Sequence, residues 1–219
     1  MLELSLLAHA QRRPVRVLCL GAHCDDIDIG CGGTLLKLLA GGGSWDVTWV
    51  AFAASAQRGR ELRGSARRFL RGAHSSQVIT HDFRDSYFPA QYQEIKDSFQ
   101  QLKRLADPDL VFTHFHMDRH QDHRIISELT WNAFRRHLIF EYEIPKYEGD
   151  LVTPNTYVGL AKGHVERKIR HLLGAYASQK AKSWFTADTF RALMRLRGIE
   201  SGLDSGWAEG FHVSKLCVS

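Results

Sequence analysis

Residues 21–33 of the chain read Gly-Ala-His-Cys-Asp-Asp-Ile-Asp-Ile-Gly-Cys-Gly-Gly. An apolar run, residues 15–20, precedes this stretch, and a helix-like run, residues 34–39, follows it. This order predicts a strand, a tight loop and then a helix. Ligands of α/β proteins bind at such corners, where the strands end. The stretch also places one His and three Asp within residues 23–28, and this density of like charge indicates a bound cation.

The rest of the chain alternates apolar runs with segments of helical periodicity. The predicted strands are residues 15–20, 45–53, 77–81, 110–113, 138–142 and 156–160, and the helices that follow are predicted at 57–71, 94–105, 122–137, 163–176 and 187–197. This alternation is typical of α/β proteins, with a Rossmann-like, doubly wound, mostly parallel sheet and helices on both faces in three α/β/α layers. Since the sequence contains no repeat, linker or low-complexity tract, we expect one domain over residues 1–219.

Composition narrows the class of protein. The net charge of +5 favours anionic partners only mildly, and no aromatic residues are interleaved with the basic ones, so we expect no nucleic acid as a partner. No apolar run reaches the roughly 18 residues of a membrane span, and the apolar N-terminus lacks the order of a secretory signal. The four cysteines have no regular spacing of the kind that a disulfide framework shows. We therefore expect a cytoplasmic protein, with homo-oligomerisation left open.

A second polar cluster, residues 114–123, follows the predicted strand at 110–113 and reads His-Phe-His-Met-Asp-Arg-His-Gln-Asp-His. Both clusters should lie at the same edge of one sheet. A catalytic zinc takes three protein ligands of the His and carboxylate type and keeps one position for water. His23 and Asp26 can face one ion across a tight turn, and a histidine of the second cluster would complete the set. Asp25 would then be free to act as general base on a water whose pKa the metal lowers.

The first cluster resembles the Ala-His-Pro-Asp-Asp signature of the zinc-dependent PIG-L/LmbE-like N-deacetylases, including its trailing Gly-x-Gly-Gly. Residues 118–123 resemble the Asp-x-His-Pro-Asp-His motif of the same family. The resemblance continues weakly over three further segments, residues 58–61, 177–179 and 207–211. Cys24 and Gln121 stand where the family motifs carry proline, which loosens two turns without changing a proposed ligand.

By position, the resemblance implies that His23, Asp26 and His123 bind zinc while Asp25 acts as general base. The implied activity is removal of an acetyl group from an N-acetylated amino sugar or its conjugate. The substrate would thus be a small sugar-like molecule, in some cases with an anionic group.

The resemblance further implies that His120 faces the scissile amide as oxyanion stabiliser or general acid, with Asp122 hydrogen-bonded to it. The chemistry supports such a role, because attack on an acetamide builds negative charge on the carbonyl oxygen.

Four more residues are candidate substrate contacts: Arg58, Asp118, Glu209 and His212. Arg58 follows the end of the predicted strand at 45–53, which lies beside the site. Glu209 and His212 stand in the C-terminal segment, where roles in closing the pocket or in the core are both open.

Two features have simpler readings than a ligand site. The glycines at positions 30, 32 and 33 fit neither common phosphate-binding pattern, and we expect them to allow close packing of helix on sheet. A row of arginines, residues 60, 63, 67 and 71, shares one face of a predicted helix. Such a row usually forms a solvated surface, and an anion site is the alternative.

Two other functions fit parts of the pattern. Two His and one carboxylate also form the facial triad of non-haem Fe²⁺ enzymes, although those triads typically lie on β-barrel strands. A sugar-binding module without catalytic activity is the third possibility. The presence of Asp25, His120 and Asp122 together argues for catalysis.

Overall fold

The computed structural model describes residues 4–217, which form a seven-stranded sheet with helices on both faces. The strands are β1 (Val15–His23), β2 (Trp45–Ala53), β3 (Ser75–Thr80), β4 (Leu110–His114), β5 (Leu138–Tyr142), β6 (Thr156–Gly159) and β7 (Ala208–His212). The helices are α1 (Leu7–Ala10), α2 (Asp26–Ala40), α3 (Ala56–Phe69), α4 (Tyr92–Leu105), α5 (Gln121–Ala133), α6 (Lys162–Ala175) and α7 (Ala187–Ser201). Within residues 4–217, no helix combines the length and the apolar character that crossing a membrane requires.

The strand order is β3-β2-β1-β4-β5-β7-β6. The first five strands in this order are mutually parallel, whereas β7 runs antiparallel to both β5 and β6. The predicted α/β class and doubly wound sheet are therefore confirmed. Strand β7 was not predicted, because its sequence Ala-Glu-Gly-Phe-His is short and contains both glycine and a carboxylate.

Alternate side chains of β1 supply two separate cores, one on each face of the sheet. Val17 and Cys19 pack into the core beneath α2, α3, α6 and α7. Leu18 and Leu20 pack into the core beneath α4 and α5. A strand buried on both faces reads as a continuous apolar run, which is why the sequence signal for β1 is clear.

The strand order reverses direction between β1 and β4. The chain proceeds from β1 to β2 on one side, while β4 pairs with the other side of β1. The loops that follow β1 and β4 therefore diverge and leave a crevice at the carboxyl edge of the sheet, which is where ligands bind in open α/β folds. Both polar clusters of the sequence lie at this crevice.

Helix α2 approaches the sheet closely at its glycines. A Cβ on Gly30 would lie 2.2 Å from Cδ2 of Tyr142 in β5, and a Cβ on Gly33 would lie 2.7 Å from Cδ1 of Leu160. The prediction of close helix–sheet packing is thus confirmed for Gly30 and Gly33, whereas a Cβ on Gly32 would lie 2.7 Å from Cε1 of Phe69 in helix α3.

A buried ion pair also holds α2. Lys168 Nζ lies 2.6 Å from Glu209 Oε1, and Lys168 also donates to the carbonyl oxygen of Ile29. The Glu209 carboxylate accepts hydrogen bonds from the backbone N–H groups of Gly33 at 2.7 Å and Thr34 at 2.6 Å. Helix α6 and strand β7 are therefore bound directly to the backbone of the helix that carries the first polar cluster.

Two helices end at least two residues earlier than predicted, and the one expected at 57–71 ends at Phe69. The helix expected at 122–137 ends at Ala133, because Phe134 leaves helical geometry (φ −115°, ψ 47°) and buries its ring in the core with 1% exposure.

Candidate metal-binding active site

Three side chains from the two polar clusters converge at the crevice. His23 ends β1, Asp26 begins α2, and His123 lies in the first turn of α5. His23 Nδ1 is 3.2 Å from His123 Nε2 and 3.4 Å from Asp26 Oδ2, and His123 Nε2 is 3.6 Å from Asp26 Oδ1. Ligands at 2.0–2.1 Å from a tetrahedral ion stand about 3.3 Å apart. The trio therefore lies at about the spacing of metal ligands, with the two distances to Asp26 ending on different carboxylate oxygens. Two overlapping groups, His23 with His120 and His123 and Asp26 with His114 and His123, each offer single ligand atoms that all lie within 4.8 Å of one another.

A carboxylate lies behind His123 and fixes its orientation. His123 Nδ1 is 2.9 Å from Asp118 Oδ2, so the Nδ1–H donates there and the Nε2 lone pair faces the trio. Asp118 is 2% exposed and also contacts Lys146 Nζ at 3.0 Å. Asp118 was a candidate for substrate contact, but the structure places it behind His123 and outside the cavity wall.

A second carboxylate has the same relation to His23. Asp122 Oδ2 is 3.2 Å from His23 Nε2, an arrangement that leaves His23 Nδ1 to face the trio. The Asp122 carboxylate also accepts the backbone N–H groups of Ser86 at 2.7 Å and Phe88 at 3.2 Å. Asp122 is hydrogen-bonded to His120 as expected, but through its backbone, whose N–H donates to His120 Nδ1 at 3.3 Å, while the carboxylate faces His23.

Electrostatics favour the protonation states that a metal needs at His123 and Asp26. At His23 burial lowers the pKa, but the carboxylates of Asp26, Asp122 and Asp85 outweigh burial and hold the pKa well above its usual value, so a bound metal must displace a proton from this ring. Burial lowers the pKa of His123 to about 3, with the neighbouring His114 adding to the effect, so its ring is neutral at physiological pH. Burial alone would raise the pKa of Asp26, but His123, His114 and His23 together hold that pKa well below its usual value. A neutral imidazole and an ionised carboxylate are the ligand forms that bind zinc.

Asp25 stands beside the trio with a different environment. Burial raises the pKa of Asp25, and the guanidinium of Arg58, which donates to Asp25 Oδ1, opposes that rise. A carboxylate with a raised pKa is better matched to proton transfer near neutral pH than an exposed one. Arg58 itself lines the cavity, as expected for a residue after β2.

His120 completes the polar face of the site. Its ring lies 4.9 Å from that of His23 and 4.6 Å from that of His123, measured between centroids. Burial and the charge of His23 lower the pKa of His120. The ring is half-buried and borders the cavity, where it can contact a bound molecule.

Sequence reasoning missed Asp85, whose Oδ1 lies 3.2 Å from His23 Nε2. The next residue, Ser86, has a left-handed backbone (φ 66°), and this conformation goes with the N–H contact to Asp122 described above. In the sequence these two residues read only as a turn. The available signal was their position after a strand of the same sheet, at the edge where the other polar residues lie.

The trio forms the base of an open cavity of about 290 Å³. Two loops complete the far wall, and the hydroxyl groups of Tyr147 and Ser183 join them at 3.2 Å. The side chains that the sequence did not predict in this wall are Ile144, Lys146, Tyr147, Glu148, Lys182 and Trp184. Half-buried Trp184 packs edge-on against Phe185, with ring centroids 5.7 Å apart.

Two candidate substrate contacts lie elsewhere. Glu209 is 4% exposed, and both of its carboxylate oxygens are bound to Lys168 and to the backbone of α2. His212 stacks on Phe115 with ring centroids 4.0 Å apart. Neither residue borders the cavity, so we assign both to the packing of β7.

The fold and this site together define an α/β protein with a His/Asp cluster that could hold a metal ion at the carboxyl edge of its sheet, and comparison with known proteins gives the family. The model of the family described as PIG-L, GlcNAc-PI de-N-acetylase, matches residues 18–134, which is more than half of the chain. The chain belongs to this family.

Individual relatives agree with that assignment. YaiS of Escherichia coli K12, an uncharacterized deacetylase, is 29% identical over 156 residues, which cover 66% of this chain and 81% of YaiS. The solved N,N'-diacetylchitobiose deacetylase of Pyrococcus horikoshii is 21% identical with a TM-score of 0.67, over 94% of this chain and 86% of that one. The zinc-inhibited form of teicoplanin deacetylase Orf2 is 14% identical with a TM-score of 0.69, over 94% and 100% of the two chains. The two solved structures share the fold of this chain.

Proposed function

We propose that the protein is a metal-dependent N-deacetylase that removes the acetyl group from an N-acetylated amino sugar or its conjugate. The observation that carries the proposal is the convergence of His23, Asp26 and His123, with donor atoms 3.2–3.6 Å apart, beside the buried Asp25. Membership of a de-N-acetylase family gives the reaction class. We further propose that residues 1–219 act as one deacetylase domain in the cytoplasm.

The side chains of this site account for the steps of amide hydrolysis. A divalent metal held by the trio would acidify water and polarise the acetamide carbonyl. Asp25 accepts the proton of the water that adds to the carbonyl carbon, and Arg58 keeps the Asp25 carboxylate in place. His120 donates a hydrogen bond to the carbonyl oxygen as negative charge develops there. The C–N bond then breaks as the leaving nitrogen takes the proton from Asp25, which gives acetic acid and an amine, and transfer of the acid's proton to the amine yields acetate and an ammonium group.

The cavity suits one sugar residue. Its volume of about 290 Å³ lies near the lower end of the range for small-molecule sites. We infer that the acetamido sugar occupies the cavity against the Trp184 side of the wall while the rest of a conjugate extends through the open mouth. The activity in the name of the Pyrococcus relative, on a diacetylated sugar, supports this substrate class.

The identity of the metal is a separate proposal, and we favour zinc because two imidazoles and one carboxylate form a common catalytic zinc ligand set. Since one relative has a zinc-inhibited form, the metal should be added at one equivalent to metal-free protein, with Zn²⁺, Fe²⁺, Co²⁺ and Mn²⁺ compared. Fe²⁺-dependent oxygen consumption without acetate release would favour the non-haem iron alternative.

The deciding experiment measures acetate release from a panel of N-acetylhexosamines and their glycosides. Asp25→Asn should lower kcat by about 10²–10⁴-fold, the usual contribution of a general base, with the metal content unchanged. His123→Ala should lose the metal. Asp97→Asn, which changes an exposed carboxylate on α4, is the matched control. Near-normal acetate release by Asp25→Asn would refute the assigned base, and binding of the panel without turnover would indicate a sugar-binding module.

A further inference from the structure

A second cavity, of about 500 Å³, lies between α2, α3 and α6. We call this cavity the basic groove. Its apolar floor is formed by Leu36, Leu39, Ala40, Phe69 and Gly72, and its basic rim by Arg68, Arg71, Arg167, Arg170 and His171. Helices α2 and α3 follow parallel strands and run back across the sheet, so their final turns lie at the amino edge. This basic groove is therefore on the side of the sheet opposite the crevice that holds the trio.

The exposed arginines of the basic groove form no close ion pair with a described residue, although Glu166 interacts electrostatically with Arg170. Within residues 4–217, none of its four arginines has a carboxylate within 4.0 Å, whereas Arg191 and Arg197 on α7 each pair with two. After burial, the influences that lower the pKa of His171 are all arginines, namely those at positions 68, 170, 167 and 71. Four like charges around one concavity repel each other, and an anion bound among them would relieve that repulsion.

The helix dipole explains the position of only some of the arginines in the basic groove. Arg68 lies in the last turn of α3, where a cation interacts favourably with the helix dipole. Arg167 and Arg170 lie in the interior of α6, where the dipole gives no such benefit. The arginine row read from the sequence contributes only Arg71 to the groove. An anion that contacts Arg71 in this groove would therefore bind away from the catalytic crevice.

We propose that the basic groove binds a small organic polyanion, a phosphate or sulfate ester with an apolar body. The arginines match the anionic groups, and the floor matches the carbon skeleton. Leu36 and Phe69 are 4% and 1% exposed, so the apolar surface that a ligand can reach comes mainly from half-buried Leu39 and exposed Ala40. A small apolar surface within a cavity of about 500 Å³ suits a small molecule rather than a flat bilayer. The groove offers no exposed aromatic platform of the kind that single-stranded nucleic acid uses. These features favour a small ligand over a membrane or a nucleic acid.

Calorimetric titration of the full chain with ATP, at 150 mM NaCl and with inorganic tripolyphosphate as a second probe, tests the proposal. We expect saturable binding of one ATP, tighter than that of tripolyphosphate because only ATP has a body for the floor. Arg68→Gln/Arg170→Gln should weaken ATP binding at least tenfold. The matched control Arg104→Gln/Arg136→Gln removes the same charge from exposed positions elsewhere and should change the affinity less than twofold.

Three results would overturn the proposal. The first is the absence of saturable ATP binding. The second is an equal ATP affinity for both double variants and the unaltered chain. This result would mean that ATP binds at the metal centre or is attracted non-specifically by the net positive charge. The third is binding to vesicles with anionic lipid, lost in Arg68→Gln/Arg170→Gln, without any binding of ATP.

Discussion

Asp118→Asn tests whether the carboxylate behind His123 tunes the metal centre. Asp118 accepts the Nδ1–H of His123 at 2.9 Å and is almost fully buried, so asparagine keeps the volume but loses the charge that orients and polarises the ring. Loss of such a partner typically weakens metal affinity by about 10–100-fold. That range corresponds to about 1.4–2.7 kcal/mol of binding free energy. The carboxylate is ionised throughout the working pH range, because its contact with His123 holds the pKa of Asp118 far below the usual value despite burial.

The measurement is a competition titration of Zn²⁺ against a chelating dye at pH 7.5. Asp150→Asn is the matched control, since Asp150 contacts the same Lys146 Nζ at 2.7 Å but does not touch His123. Both variants remove one partner of a buried ammonium group and should lower the melting temperature of the metal-free protein to a similar extent. Only Asp118→Asn should weaken zinc binding. An unchanged zinc Kd in Asp118→Asn, or an equal loss in both variants, would refute the proposed roles of Asp118 and His123.

Three further predictions concern the body of the protein. Lys168→Met leaves the buried Glu209 carboxylate without its charged partner and should lower the free energy of unfolding in urea by about 3–5 kcal/mol. A change below about 1 kcal/mol would contradict the role of the Lys168–Glu209 ion pair in holding α2. Gly30→Ala places a Cβ inside a tyrosine ring of β5 and should cost about 1–3 kcal/mol, whereas Gly163→Ala, with open space around it, should be neutral or stabilising. Burial raises the pKa of Cys24 to about 12, so its thiol stays protonated, and iodoacetamide at pH 7.5 should label exposed Cys217 but not Cys24 in the folded protein.

Local sequence signals predicted most of the elements. Strands β2 and β5 have the bounds expected from their apolar runs, and β1 extends the expected strand through His23. The final strand was missed because its stability comes from pairing with β5 and β6, which is not encoded in its own five residues.

In the site, too, features encoded by continuous sequence were predicted, whereas contacts between distant parts of the chain were not. Two motifs identified the three converging side chains, since each motif is continuous in sequence and follows a strand of one sheet. The hydrogen bond between Asp122 and His120 was predicted, but the partners of the Asp122 carboxylate were not, because they are residues 23, 86 and 88, which come from other parts of the chain. The roles of Asp85 and Trp184 depend on loops that meet only in the folded protein.

The contacts of Lys168 and Glu209 with the backbone of α2 bear on which part of the chain should be expressed when members of this family are studied. The matched region, residues 18–134, contains every proposed ligand and the proposed general base, yet strands β5, β6 and β7 and helices α6 and α7 of the same fold lie outside it. Lys168 and Glu209 bind the backbone in the middle of α2, and Tyr176 donates to the carbonyl oxygen of Cys24 at 2.6 Å. A fragment restricted to the matched region would lose these supports and should not hold the first cluster in place. Variants far from the motifs can therefore abolish activity through the geometry of one helix, and sequence comparison limited to the motifs would overlook them.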